Sequence, residues 1–195
     1  MRKATRQKAK IRLGMSAVSG GGKTYSALLV AYGMTGDWNK IVIIDSENGS
    51  ADLYAHLGDY NVYPIQAPYT PENYISAIKK CECEEGIEVI IIDSITHEWD
   101  GKGGCLEIYA NLGGKYQDWG KITPRHQAFI DAIITSKCHI ITTVRRKQEY
   151  ELSKNSEGKL KVEKLGLKEV TREGFEYELT INLEISVNHT AVASK

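Results

Sequence analysis

The segment Ala17-Val-Ser-Gly-Gly-Gly22-Lys23-Thr24 constrains this chain more than any other feature. It follows a short apolar run, Ile11 to Met15, and opens a helical stretch, Thr24 to Met34, that Gly36 closes. Consecutive glycines let main-chain N–H groups turn inward around an anion, and a helix start adds its positive end. In that setting Lys23 reaches the β and γ phosphates of a nucleotide, and the Thr24 hydroxyl is placed for Mg²⁺. The segment therefore predicts a strand–loop–helix unit holding ATP and Mg²⁺ through Ser19, Gly20, Gly21, Gly22, Lys23, Thr24 and Tyr25. The strict pattern begins with glycine. Ala17 relaxes it mildly, because the three glycines keep the loop permissive.

The rest of the chain alternates between apolar runs and helical periodicity. Lys40 to Glu47, Glu88 to Ile95 and Cys138 to Val144 read as buried strands, and Asn61 to Ile65 as a further short one. Helices are expected from Pro71 through Cys81, over Leu106 to Leu112, and from Pro124 to Ser136. Leu28, Leu29, Ala31 and Tyr32 are the expected buried face of the first helix. Phe175 to Ser186 alternates cleanly and predicts a half-buried antiparallel strand, with the following HTAVAS beside it. The fold class is α/β: a mostly parallel twisted sheet flanked by helices, with antiparallel strands at the C-terminal end. All 195 residues are expected to form one domain, preceded by a basic arm over residues 1–10.

In such sheets chemistry gathers at the carboxyl ends of the strands. Asp93 ends the second long apolar strand and is the expected Mg²⁺-side carboxylate, sharing the metal with Thr24. Hydrolysis also needs a carboxylate that orients water at the γ phosphate. Asp45-Ser46-Glu47 supplies two; Glu47 is the expected catalytic one, with Asp45 structural or on the magnesium side.

Composition removes other classes. The 25 Lys and Arg balance 25 Asp and Glu, which excludes a globally basic nucleic-acid packer or an acidic disordered tail. No apolar run reaches membrane-spanning length and no signal segment follows the basic start, so a cytoplasmic location without membrane contact is expected. Cys81, Cys83, Cys105 and Cys138 are too few for a disulfide scaffold and lack zinc-type spacing, so they read as reduced thiols.

Four stretches carry a family resemblance: MSAVSGGGKTYSALLVA, IVIIDSENGSADLYAHL, IEVIIIDSITHEW and CHIITTVRRKQEY. Together they resemble the ATPase core of RecA-type recombinases, in particular the compact AAA-family ATPases of bacteriophages and prophages, over nearly the whole chain. The resemblance implies a RecA-like P-loop core that hydrolyses ATP, with Lys23, Glu47 and Asp93 catalytic. It places Thr143 where RecA proteins carry a γ-phosphate-sensing glutamine, and leaves Arg145 or Arg146 to take over that sensing. It also implies a homo-oligomeric ring or filament in which a late basic residue, Lys195, reaches the neighbour's ATP.

By the same resemblance, residues 96–123 and 145–170 face single-stranded DNA, with a single-strand-binding protein as a further partner. Trp99, Lys102, Lys115, Trp119 and Lys121 interleave aromatics with cations, as base stacking and phosphate contact require. Arg145, Arg146 and Lys147 open the second segment, whose eight Lys and Arg against five Glu make a weak electrostatic footprint. The implied function is Mg²⁺-dependent ATP hydrolysis coupled to DNA in phage recombination or annealing. The rival is an ATP-switched replication or packaging accessory acting on a protein.

Overall fold

A computed structural model describes Lys3 and residues 9–154 and 160–195, with side chains placed except at 149–154 and 160–166. Most of the basic arm, Lys159, and the side chains of Lys154, Lys161 and Lys164 therefore lie outside the described residues.

Among the described residues an eight-stranded sheet runs in the order β3-β2-β4-β5-β1-β7-β8, with β6 paired to β5. The strands are β1 (Arg12–Ala17), β2 (Ile41–Asp45), β3 (Asn61–Pro64), β4 (Val89–Asp93), β5 (His139–Lys154), β6 (Leu160–Glu169), β7 (Ile181–Ile185) and β8 (Ala191–Ala193). From β3 across to β7 every pairing is parallel. The β5–β6 hairpin and the β7–β8 pair are antiparallel. The expected mixed sheet with antiparallel pairs toward the C-terminal end is thus present.

The central strands β1, β2 and β4 are buried at every position, which is why β2 and β4 read as continuous apolar runs. Successive side chains point to opposite faces. Val42, Ile44, Ile90 and Ile92 pack with Tyr74, Ile78 and Phe129 of α2 (Pro71–Cys83) and α5 (Trp119–Thr135). Ile41, Ile43, Val89 and Ile91 pack on the other face with Ala27, Leu28 and Ala31 of α1 (Lys23–Thr35). Leu29 and Tyr32 do not join that face; both are exposed. Arg12 is buried and belongs to the sheet: its guanidinium donates to the carbonyls of Ile134, Ser136 and Cys138, closing the end of α5. At Gly14 a side chain would meet Leu179 Cδ1 at 2.4 Å, so glycine is what lets the chain before β7 approach β1.

Three expectations are corrected. The helix expected from Pro124 begins at Trp119, with Pro124 inside it. Ile122 is 1% exposed and heads the stripe completed by His126, Phe129, Ile130 and Ile133. That burial outweighs an interior proline's cost of roughly 3 kcal/mol. The single alternating strand over 175–186 is divided: Phe175–Glu178 form a helical turn, α6, and only β7 is extended, parallel to β1. Phe175 and Leu179, four apart and both buried against the α2/α5 layer, mimic strand alternation while following a helical turn. Finally, residues 96–123 contain not only the expected helix, here α4 (Cys105–Asn111), but also α3 (Thr96–Asp100), a 3₁₀ turn over Tyr116–Asp118 and the start of α5.

Candidate nucleotide site

The carboxyl ends of β1, β2, β4 and β7 lie along one edge of the sheet, and β5 passes the same edge at Val144. The loop after β1 turns through Gly20 (φ 75°) and Gly22 (φ 89°), both in the left-handed region that side chains disfavour. Ala17 adds a constraint of its own. A Cβ on Gly21 would lie 2.7 Å from the Ala17 Cβ, so alanine at the head of the loop makes glycine obligatory four residues on. No side chain caps α1 and its first turn carries no acid, which leaves its leading N–H groups directed at the loop.

Lys23 is 9% exposed and its Nζ donates to the carbonyls of Ala17 (3.2 Å) and Val18 (3.1 Å), folding the ammonium into the cradle. Burial lowers its pKa; Asp93 opposes the shift and Arg145 adds to it. Beneath the loop, Thr24 Oγ1 donates to Asp93 Oδ2 at 2.6 Å, and the Thr143 hydroxyl donates to Asp93 Oδ1. Asp93 is 2% exposed, and burial raises its pKa against the opposing hydrogen bonds from Thr143 and Thr24. A buried carboxylate and a hydroxyl beside a glycine cradle form a hard oxygen donor set that fits Mg²⁺. Ser19 and Gly20 lie at the exposed lip, and exposed Tyr25 tilts against Tyr54 with ring centroids 5.9 Å apart.

Glu47 and Asp45 separate into distinct roles. Asp45 braces the turn after β2, accepting from the N–H groups of Glu47 (2.6 Å) and Ala51 (3.1 Å). Glu47 projects beyond it, where Ser94 Oγ donates to its Oε1 at 2.9 Å and Arg145 grips both carboxylate oxygens. Arg145 is anchored by its own N–H, which donates to Thr96 Oγ1 at 2.9 Å. Lys23, Thr24, Glu47, Asp93, Thr143 and Arg145 are thereby joined in one constellation.

Two histidines border this site, His97 three residues after Ser94 and His189 far along the chain. His97 Nδ1 lies 2.9 Å from Ser46 Oγ and its ring stacks on Tyr69, with its pKa lowered by burial. His189, in the β7–β8 turn, brings Nδ1 to 3.4 Å from the Gly21 carbonyl. No motif marks His189; only the pairing of β7 with β1 brings it to the phosphate loop.

The residues expected to face DNA do not form one surface of free cations and rings. Trp99 and Trp119 stack on each other (5.9 Å between centroids), and Tyr109 stacks on Trp119 at 4.3 Å. Lys121 pairs with Asp118 (3.8 Å), Arg146 with Glu184 (2.8 Å) and Lys147 with Asp100 (2.9 Å). Lys102 and Lys115 are exposed. An open cleft of about 1240 Å³ lies between these helices and the β5–β6 hairpin, with Trp99, Tyr116, Trp119, Lys147 and Arg172 in its walls. Lys195 follows β8 back to the amino end of β7, where its Nζ donates to the Tyr177 carbonyl.

A phosphate cradle at the end of β1, with a buried acid two strands away, defines a P-loop nucleotide-binding core. Residues 9–194 match the AAA domain family model, and the chain belongs to that family of P-loop ATPases. No curated protein matches the chain. Among the described residues no helix is long and apolar enough to cross a membrane.

Proposed function

We propose that this chain is a Mg²⁺-dependent ATPase whose turnover is coupled to single-stranded DNA, in recombination or annealing of the bacteriophage type. The observation that carries the reading is the hydrogen-bonded row Thr24–Asp93–Thr143 beneath the glycine cradle, with Glu47 and Arg145 at its flank. Thr24 and Asp93 would hold Mg²⁺, which neutralises charge on the phosphates when bound. Lys23 leaves its carbonyl partners for the phosphates, and the helix start faces the same charge. Glu47 orients the attacking water once Arg145 lets go of it. Arg145 is then the residue of this chain best placed to report the γ phosphate, in the role that Thr143, already committed to Asp93, does not fill. A ring or filament, with Lys195 or another basic residue offered to a neighbour's nucleotide, completes the reading.

A second reading is favoured by the pairings around the cleft. Where rings stack on rings and lysines on acids, the surface suits a protein partner, and the chain is an ATP-switched replication or packaging accessory. Steady-state ATP hydrolysis with and without single-stranded DNA, with Glu47→Gln as control, separates the two. DNA stimulation that vanishes in the variant is expected. Hydrolysis indifferent to DNA, yet lost in Glu47→Gln, transfers the function to the protein-directed switch.

A further inference from the structure

Three helices meet at a point the nucleotide site does not use. Glu98 on α3, Cys105 at the first position of α4 and His126 on α5 are 0%, 0% and 3% exposed. His126 Nδ1 lies 3.0 and 3.1 Å from the two carboxylate oxygens of Glu98, and Cys105 Sγ lies 3.1 Å from Oε1. One nitrogen, one sulfur and one oxygen donor thus sit within 4.8 Å of one another. Around them the surroundings are aromatic: Trp99 meets the His126 ring edge-on at 5.2 Å and Phe129 lies at 6.3 Å. Burying an ionised carboxylate costs several kcal/mol, and well-packed apolar side chains commonly fill such a position more stably. A chain that places a carboxylate, a thiol and an imidazole here invites an account of what compensates them.

We propose that Glu98, Cys105 and His126 form a zinc site that ties α3, α4 and α5 together. The donor set selects the ion. Sulfur and imidazole suit Zn²⁺, whereas Mg²⁺ takes oxygen. Zn–S and Zn–N bonds of about 2.3 and 2.0–2.1 Å in a tetrahedron put donor atoms a little over 3 Å apart. The observed separations need to open only slightly. Charge also balances: Zn²⁺ with one thiolate, one carboxylate and a neutral imidazole is net zero, as a buried site requires. On binding, the S–H bond of Cys105 breaks, its proton leaves to solvent, and the electron pair goes to the Zn–S bond. A water takes the fourth position. Trp99, Leu106, Trp119 and Thr123, on the same three helices, line the neighbouring cleft.

Sequence spacing hides this site, because its three members come from three helices and no two cysteines take part. Nothing in it depends on nucleotide. The test is titration of the nucleotide-free full chain with Co²⁺ in excess Mg²⁺, which occupies any oxygen-only site. One Co²⁺ per chain is expected, with a thiolate-to-cobalt charge-transfer band that one equivalent of Zn²⁺ erases. Cys105→Ser and His126→Gln each lose the band and weaken zinc binding at least tenfold, while Cys83→Ser, at an exposed thiol, keeps both. Absence of the sulfur band in the unaltered chain overturns the proposal, as does a band that survives in His126→Gln. Those two measurements decide the matter even if Cys105→Ser does not fold. In either overturning case the three residues are a hydrogen-bonded junction alone.

Discussion

The nucleotide site and the cleft beside the β5–β6 hairpin follow different rules. At the nucleotide site, Lys23, Thr24, Glu47 and Asp93 come together because each stands at the carboxyl end of a parallel strand or in the segment that leaves it. At the cleft, Trp99, Tyr109, Trp119 and His126 come together because α3, α4 and α5 fold over one another. In the first place, strand order converts position along the chain into position in space. In the second, ring contacts decide, and spacing along the chain says little. Motif chemistry survives translation into structure where the scaffold is regular.

The contrast predicts opposite outcomes for substitutions in the two regions. Glu47→Gln should have the largest effect, lowering kcat on the order of 10³-fold, within the range for removal of a general base, while nucleotide affinity and Tm hold. Measured binding that falls together with kcat would move Glu47 from chemistry to cradle. Trp119→Ala should do the reverse, leaving basal hydrolysis alone and costing about 1–3 kcal/mol in denaturant melts through lost stacking and burial. Were Trp119→Ala to cost nothing in stability yet abolish DNA stimulation, the cleft would be a base-stacking surface and the contrast would collapse. Arg145→Ala sits between the regions. A roughly tenfold drop in kcat, about 1.4 kcal/mol, is expected with DNA affinity preserved.

Asp93→Asn should separate function from stability. Burial raises the Asp93 pKa, so the folded chain holds that proton more tightly than the unfolded chain. Stability from this group is present at low pH and declines as pH rises from the ordinary carboxylate range through the raised value. The variant should therefore lose hydrolysis, melt a few degrees higher at neutral pH, and show a flatter Tm against pH. An unchanged slope would remove Asp93 as the source. The smallest effect belongs to Glu72, held by both arms of Arg125 at 2.7 Å, an ion pair between α2 and α5 that lowers its pKa. Its contribution is present at neutral pH and lost as pH falls through the lowered value. Because the pair is half exposed, Glu72→Gln should cost under about 1 kcal/mol at neutral pH and nothing in acid.

Much of the first region could be read before any coordinates, because glycines, a lysine and a hydroxyl at fixed spacing admit few other uses. The separation of Asp45 from Glu47 could also be anticipated, since only the longer side chain clears the turn that Asp45 braces. The Arg145 grip on Glu47 could not. It depends on β5 lying between β1 and β4, a strand order that no residue announces. The strand reading of Phe175–Glu178 failed for a related reason: periods of two and of four coincide when only Phe175 and Leu179 are apolar and buried. Trp99 and Trp119, twenty positions apart, looked available because their partners were each other.

β5 carries one last implication. It runs unbroken from His139 to Lys154, sixteen residues or about 50 Å of extended chain, with neither glycine nor proline inside it. Its first half is wedged in the sheet between β1 and β4, and its second half reaches out with β6. Arg145 stands where the one pairing gives way to the other. One backbone therefore carries both the side chain that grips Glu47 and the strand that pairs with β6. The pairing of β5 with β6 shifts register at Glu149/Tyr150, where Leu165 of β6 stands without an opposite number. The nucleotide site and the hairpin thus share one uninterrupted strand.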